Sequence, residues 1–548
     1  MIMRRTGTFA LLILITCNVV FAQAQQITVY GTVQDKANGL ALDSARVNIR
    51  IPQIDQNFLA FTNSSGQWEY TFQISGVTES EQLPASFSLS QNYPNPFNPS
   101  TRIPFSIARG GEVKITVYNV LGQELDSKRA FFTPGNYFIG WNSKGGSGVL
   151  FYSIEMENER QTRKMLQLDG GGNRGLGQII QGSAESESIF LSKTDTISAL
   201  VTASKLGYEP DSTTVALTNE TQVDFQLDLL HSKAFVVDLH NDVLEKVVGS
   251  GYQLGVRHSY NHSDIPRFFE GGVDAQMFVV WVDHRAYLNI SYQRALQFFD
   301  AFDNQVALNP TKIAQARNAD EIFQVNAQQK LAGVLVVEGG HAIENDLDKL
   351  KELYRRGMRY LTITWNNSTD WATSAEDSRT TTRGLSDFGK QVIRTLDSLG
   401  VIIDVSHVGI KTIQDILATS KNPMIASHSG VRALRNHYRN LYDDQIVAIA
   451  NSGGVIGVVF YPYFLSSGGT TNISTVIKHI NYIVNLVGID HVAIGSDYDG
   501  IESTPIGLED VSKLPALTMA LLKAGYSNAN VKKILGENFL RVFREVCH

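Results

Sequence analysis

Residues able to hold a metal ion stand at the ends of apolar runs in the second half of the chain. His240 and Asp242 follow residues 235–239, Glu338 follows Leu335-Val336-Val337, and His407 and His428 close residues 401–406 and 424–427. In an extended segment His240 and Asp242, two apart, point the same way and can grip one ion together. Glu338 precedes Gly339-Gly340, and a carboxylate buried there without a partner would be costly, whereas its two oxygens can bridge two cations. Two carboxylates with three histidines favour zinc over magnesium or calcium; manganese or cobalt also suits such a site. A lone His-x-Asp, or a lone histidine at a strand end, is more often structural, and it is the joint pattern on separate elements that points to a metal centre. Asp497-Tyr498-Asp499-Gly500 begins like a calcium loop, but the residues after Gly500 do not continue it. His258, His262, His284, His437 and His479 fall in loops or helices and are expected to face solvent, while His341, three residues after Glu338, is placed to support the ligands from behind.

These residues need a frame, and the sequence after Lys233 supplies one. Apolar strand-like runs alternate there with amphipathic helical stretches, the pattern of parallel α/β architecture. Strands are expected near residues 235–239, 273–282, 332–337, 358–364, 401–405, 423–427, 454–460 and 491–495, with helices over 346–356, 385–399 and 474–487. Eight such strands favour a closed, TIM-like (β/α)8 barrel over residues 233–548, in which the active site is built at the carboxyl ends of the strands. The ligand candidates occupy that position, as do Trp365 after the fourth strand and Asp497 after the eighth.

The chain has 548 residues, too many for one ordinary domain, and 43% hydrophobic with 18% charged residues is the balance of a folded protein. A net charge of −7 with scattered Lys and Arg offers no basic stripe for phosphates, which argues against a nucleic-acid partner. Arg4 and Arg5, the apolar stretch 9–21 and Ala22-Gln23-Ala24 form a secretory signal, residues 1–24. Leu14-Ile15-Thr16-Cys17 has a lipoprotein flavour, but Thr16 stands where a smaller residue is usual, and simple cleavage ranks higher. Cys17 lies in the signal, so Cys547 has no partner for an internal disulfide. Alternating segments over 25–80 and again over 191–230 resemble two parts of a carboxypeptidase-regulatory-like β-sandwich. Between them, residues 85–168 read as a further small all-β domain and residues 169–190, rich in Gly, Ser and Glu, as a flexible linker.

Two resemblances sharpen this reading. Tyr93-Pro94-Asn95-Pro96-Phe97-Asn98-Pro99, followed by Val113-Lys114-Ile115-Thr116-Val117-Tyr118-Asn119-Val120-Leu121-Gly122, resembles the sorting domain recognised by type IX secretion systems, which family members carry at the extreme C-terminus. That resemblance implies export, to the periplasm, the outer surface or the medium of a Gram-negative bacterium, and contact with secretion machinery or a cell surface. Asp238-Leu239-His240-Asn241-Asp242, Val337-Glu338-Gly339-Gly340-His341, Asp404-Val405-Ser406-His407, Ala426-Ser427-His428-Ser429, Arg439-Asn440 and Gly495-Ser496-Asp497-Tyr498-Asp499-Gly500 resemble, in order, the motifs of the renal or membrane dipeptidases. The likeness covers residues 235–546.

What this second resemblance implies is zinc-dependent hydrolysis of dipeptides by a metal-bridging hydroxide, with two Zn2+ per protomer. His240 and Asp242 would hold the first ion, His407 and His428 the second, and Glu338 would bridge them. Arg439 would take the substrate's terminal carboxylate, with Arg432 and Arg435 as nearby competitors, and Asp497 would contact the amine side and handle the proton of the leaving nitrogen. A homodimer is compatible with it. Mammalian members carry a histidine after the fourth strand that contacts the scissile carbonyl; this chain has Trp365, which cannot carry a proton, and Asn366 beside it is the candidate to help at the oxyanion. The family's C-terminal lipid-anchor signal has no counterpart in Arg544-Glu545-Val546-Cys547-His548. Competing readings are a related binuclear amidohydrolase acting on another amide or lactam, and a surface-binding protein with an altered catalytic site.

Overall fold

The computed structural model describes residues 25–74, 84, 86–97, 100–144, 147–157, 159–168, 173–181 and 197–548; the expected signal, residues 1–24, lies outside the described residues. Eight parallel strands close a barrel: β1 (Val237–Asn241), β2 (Ala275–Trp281), β3 (Leu331–Glu338), β4 (Met358–Thr362), β5 (Ile402–Asp404), β6 (Met424–Ser429), β7 (Ile456–Val458) and β8 (Val492–Ile494). Each strand pairs with the next, and Asp238 of β1 against Ile494 of β8 completes the circuit. The short strand Ile313–Gln315, absent from the sequence reading, adds to the first residues of β3. Three of the helices the sequence marks out start where a short polar side chain can receive a free N–H. Asp346 opens Leu347–Arg356 by accepting from Asp348 N, Ser386 opens Asp387–Leu399, and Asn472 opens Ile473–Val487.

Alternation along the strands sorts side chains into two layers. On β3, Leu331, Leu335 and Val337 join the layer between barrel and helices, whereas Ala332, Val334 and Val336 fill the barrel interior. Phe539 and Phe543 of the last helix, Asn538–Val546, join that interior layer. Glu338 has the parity of the interior set, so the strand that buries Val334 and Val336 also delivers this carboxylate to the centre of the barrel mouth. The same parity places Tyr360 and Thr362 of β4, Asp404 of β5 and Ser427 of β6 inside, just below the mouth. His240 is different. Val237 and Leu239 face inward, so strict alternation would turn it outward; the β1–β2 register slips between Asp238 and Asn241, an irregularity of the kind that re-aims a side chain.

Ahead of the barrel, strands Gln25–Asp35 and Gln67–Ile74, with Glu220–Gln222 and Phe225–Leu227, form one sheet, and Arg46–Ile51, Gln56–Phe61, Ser198–Ser204 and Asp211–Ala216 form another; both sheets cover one apolar core. Two further four-stranded sheets, drawn from residues 88–181, enclose a second core around Trp141 and Tyr152. The expected linker needs correction in its middle. Asn173–Gln181 is a strand paired antiparallel with Gly135–Lys144, bulged between Leu176 and Ile179, whose side chains pack on that core in spite of the glycine-rich composition. Residues 169–172 and 182–190 of that linker lie outside the described residues.

The barrel is joined to the small sheets by short-range contacts. Leu230 is fully buried in the barrel's outer layer, and the His231 ring bridges Thr518 and the Gly271 carbonyl. Asn528 donates to the Tyr208 carbonyl, and Lys532 meets Glu209 at 2.6 Å. Among the described residues no helix is long and apolar enough to cross a membrane.

Candidate metal centre

At the carboxyl end of the barrel the predicted ligands converge. His407 Nε2 lies 2.9 Å and His428 Nε2 3.5 Å from Glu338 Oε1, and the two nitrogens are 3.1 Å apart. On the other side His240 Nε2 lies 3.5 Å from Asp242 Oδ2 and 3.7 Å from Glu338 Oε2. Glu338 therefore turns one oxygen toward each group. Three overlapping triplets bring potential ligand atoms within 4.8 Å of one another: His240, Asp242 and Glu338; Glu338, His407 and His428; and His240, His428 and Asp497.

Each ring is held so that Nε2 faces inward. Tyr360 gives its hydroxyl proton to the Leu239 carbonyl (2.9 Å), so at 2.8 Å it can only accept from His240 Nδ1–H. Asn366 Oδ1 accepts from His407 Nδ1 at 2.8 Å, and Ser427 Oγ lies 2.9 Å from His428 Nδ1. With the ring protons on Nδ1, three lone pairs point into one small volume, two of them facing each other, and buried His240 Nε2 has no hydrogen-bond partner. Such a donor set fits cations and little else.

Burial reinforces the fit. It pushes the Glu338 carboxyl up to about 8, helped by Asp404 and opposed by Arg439. Burial, together with neighbouring carboxylates, also raises Asp242 and Asp497 well above the carboxylate range. Burial lowers His240, His407 and His428, leaving neutral imidazoles. A bound cation reverses this cost for the carboxylates, because it favours their charged form. Backbone strain gathers at the same place: His407, Asp497 and Asp499 adopt left-handed backbone angles (φ 66°, 64° and 67°) that side chains other than glycine rarely take.

The candidate ligands Asp242, Glu338, His407 and His428 line a cavity of about 660 Å³ whose wall also includes Arg439, Asp497, Trp281, Trp365, Tyr461 and Phe464. Arg439 is 3% exposed, its guanidinium stands over the Phe464 ring, and its Nε is unpartnered. Arg432 and Arg435 do not line this cavity; they donate to the His437 and Tyr463 carbonyls. Trp365 is in the wall, its ring 6.2 Å from that of His407. Asn366 also reaches the wall, but its side-chain oxygen is engaged with His407.

Several expectations for the other histidines fail. His262 lines the cavity and exchanges two hydrogen bonds with Asp499, accepting from Asp499 N at 2.9 Å and donating its own N–H to Asp499 Oδ1 at 2.8 Å. His479 is buried, accepting from Val431 N and donating to the Leu465 carbonyl. His284 packs against Trp365, and His437 against Phe464. His341 does not reach the ligands; its Nε2 donates to the Val282 carbonyl. These contacts are long-range, and position in the sequence gives no sign of them. Asp404, Ser427 and Tyr360, which hold the ligands, were likewise unmarked as site residues; their inward parity on β5, β6 and β4 is the signal that could have found them.

An eight-stranded parallel barrel with imidazoles and carboxylates gathered at its carboxyl mouth defines a metal-dependent hydrolase of the amidohydrolase-like kind. The chain belongs to the membrane dipeptidase family, peptidase family M19, whose model matches residues 225–548, and it is a metallo-dipeptidase. Among solved structures it is similar to dipeptidase AC, a metallopeptidase of the same family, at 26% identity over 57% of this chain and 99% of that one (TM-score 0.54). It is also similar to a metallopeptidase from Rhodobacter sphaeroides bound to a phosphinate mimic of the dipeptide L-Ala-D-Ala, at 26% identity over 57% and 99% (TM-score 0.53). An amidohydrolase from Pseudomonas aeruginosa matches at 25% identity over 58% and 98% (TM-score 0.51). Residues 91–167 match the model of a secretion system C-terminal sorting domain, here followed by the whole barrel.

Proposed function

We propose that the chain is an exported two-zinc dipeptidase in which His240 and Asp242 hold one ion, His407 and His428 the other, and Glu338 bridges both. The observation that carries this reading is the division of Glu338, one oxygen toward His407 and His428 and the other toward His240. Zinc pairs of this kind supply an activated water near neutral pH and polarise a carbonyl oxygen. The protein's own groups bind and orient. Arg439, a buried fork on the cavity wall, takes the substrate's terminal carboxylate, and Trp281, Trp365, Tyr461 and Phe464 exclude water around it. Asp497, a buried carboxyl on the cavity wall, stands on the amine side, takes up the proton released by the attacking water and passes it to the leaving nitrogen as the C–N bond breaks. With Asn366 engaged by His407, its part is to orient that ligand, and help at the oxyanion is confined to its amide N–H2.

The phosphinate mimic of L-Ala-D-Ala on the Rhodobacter relative supports a dipeptide as the substrate. The sorting-domain match supports export and contact with secretion machinery. The domain division we propose places all chemistry in residues 233–548 and assigns the preceding β domains to delivery or display. Metal analysis of the purified chain together with a panel of dipeptides tests the reading: about two zinc ions and cleavage of free dipeptides are expected. A folded chain prepared without chelator that holds no metal, or one that cleaves other amides and leaves dipeptides intact, would refute it.

A further inference from the structure

Below the metal-facing rings, three inward side chains from adjacent strands form a hydrogen-bond chain whose direction can be read. Asp404, fully buried at the end of β5, accepts from two backbone N–H groups through Oδ1, those of Ser406 (3.0 Å) and Ser427 (2.8 Å). Its Oδ2 accepts from Thr362 Oγ1 (2.6 Å) and from Ser427 Oγ (2.7 Å). A serine hydroxyl has one proton, and here it is given to Asp404. Ser427 Oγ can then only accept from His428 Nδ1, 2.9 Å away, which puts the ring proton on Nδ1 and the lone pair on Nε2, facing Glu338 and His407. The same hydroxyl lies 3.4 Å from Nδ1 of His240, so it sits under rings belonging to both halves of the site.

We propose that Asp404 and Ser427 are positioning residues that set the His428 tautomer, and that the direction of their hydrogen bonds decides whether His428 Nε2 is open to a metal ion. This rests on the metal-binding reading above. A structural role alone, bracing β5 against β6 through the two backbone N–H groups, predicts something different, and Asp404→Asn separates the two. The substitution keeps size and shape. Because Oδ1 is claimed by two N–H groups that can only donate, the new amide nitrogen must occupy the Oδ2 position and donate to Ser427 Oγ. The serine then turns its proton to His428 Nδ1, the nearer acceptor at 2.9 Å against 3.3 Å for Ser406 Oγ, and the ring carries its own proton on Nε2, where it blocks the metal. Removing the hydroxyl from that variant lifts the block. The second substitution therefore repairs part of the damage done by the first, an interaction of opposite sign to simple loss.

The test is zinc uptake by the full chain after metal removal, read by competition with a coloured chelator, with circular dichroism to check folding. Ser427→Ala is expected to weaken one zinc position ~10–100-fold, the usual effect of losing a group that orients a ligand. Asp404→Asn weakens it further, the double variant binds more tightly than Asp404→Asn alone, and Ser427→Thr, which keeps the hydroxyl, stays near the parent chain. Wild-type affinity in Asp404→Asn, or losses that add in the double variant, overturn the inference. If Asp404→Asn does not fold, the serine pair decides: equal loss in Ser427→Ala and Ser427→Thr overturns it, and loss in Ala alone upholds it. A parent chain that takes up no zinc overturns the metal-centre reading itself, and this inference with it.

Discussion

The barrel and the small sheets before it obey the same alternation, yet they end differently. In the sheets of residues 88–181 the inward layer is mainly apolar, and apart from the unpartnered Trp141 Nε1 its buried polar groups are small or neutral. The Tyr152 hydroxyl, for example, takes Asn92 N–H and gives its proton to the Ser90 carbonyl. In the barrel the inward layer starts as Val334 and Val336 and finishes as Glu338, with Arg439, Asp242 and Asp497 buried around it and Arg439 Nε and His240 Nε2 left without a partner. Sheets that stack on each other cover both ends of their core, whereas a barrel has a mouth. The last inward position of each strand falls in that mouth, where a charge can be useful.

The sharpest way to break this comparison is Glu338→Gln. It should reduce dipeptide hydrolysis to the detection limit and bound zinc to well below the parent amount, while circular dichroism and the sheets ahead of the barrel stay unchanged; retained activity would show that the bridge lies elsewhere. Arg439→Ala should cost ~2–4 kcal/mol in kcat/KM on a free dipeptide, since a desolvated carboxylate loses its partner. It should cost almost nothing on the dipeptide amide, because both changes break one contact. Additive effects would show that Arg439 is not the partner of the substrate carboxylate. Arg439→Lys should recover only part.

The boundary between the two regions is tested next. Leu230, fully buried in the barrel layer, makes the barrel begin before Lys233. A chain starting at Asp228 should hydrolyse dipeptides like the full chain. One starting at Lys233 should lose about 2–3 kcal/mol of stability, as for deletion of a buried leucine. Equal melting of the two would return the boundary to Lys233.

A smaller effect is the pH dependence of the metal-free protein. Glu338 is raised from 4.5 to about 8 on folding, so between these values the folded state keeps a proton that the unfolded chain has released, and stability falls as pH rises. The three buried histidines are lowered and act in the opposite sense, chiefly below about pH 6.5. From pH 7 to 8 denaturant titration should therefore show a loss of up to ~1.4 kcal/mol per pH unit for each such carboxylate, abolished by zinc. The smallest effect is expected where the regions touch at the surface: Lys532→Ala, removing the pair with Glu209, should change stability by less than ~1 kcal/mol and leave kcat/KM alone.

The barrel was legible because its strands are continuous apolar runs, four of them closed by the candidate ligands; all eight were found from the apolar pattern. What escaped had a physical reason in each case. Ile313–Gln315 is too short to show a period, and Asn173–Gln181 hides two core-packing residues, Leu176 and Ile179, among glycines. The inward turn of His240 depends on a register slip, and the contacts of His262 with Asp499 join residues more than two hundred positions apart. Local sequence carries neither.

The small sandwich near the N-terminus has one consequence for how the molecule comes apart. Its strand Gln25–Asp35 is paired both with Gln67–Ile74, before the sorting-like unit, and with Glu220–Gln222 and Phe225–Leu227, after it; Arg46–Ile51 likewise pairs with Ser198–Ser204. The unit is thus a closed excursion, stapled at its base, and one peptide-bond cut on either side would nick the chain without freeing a piece. Fragments would separate on a denaturing gel and travel together on a native one. A single cut sheds the barrel from whatever holds the sorting-like unit only where it falls beyond Leu227; short of that, release takes a cut on each side of the unit or the melting of the staple.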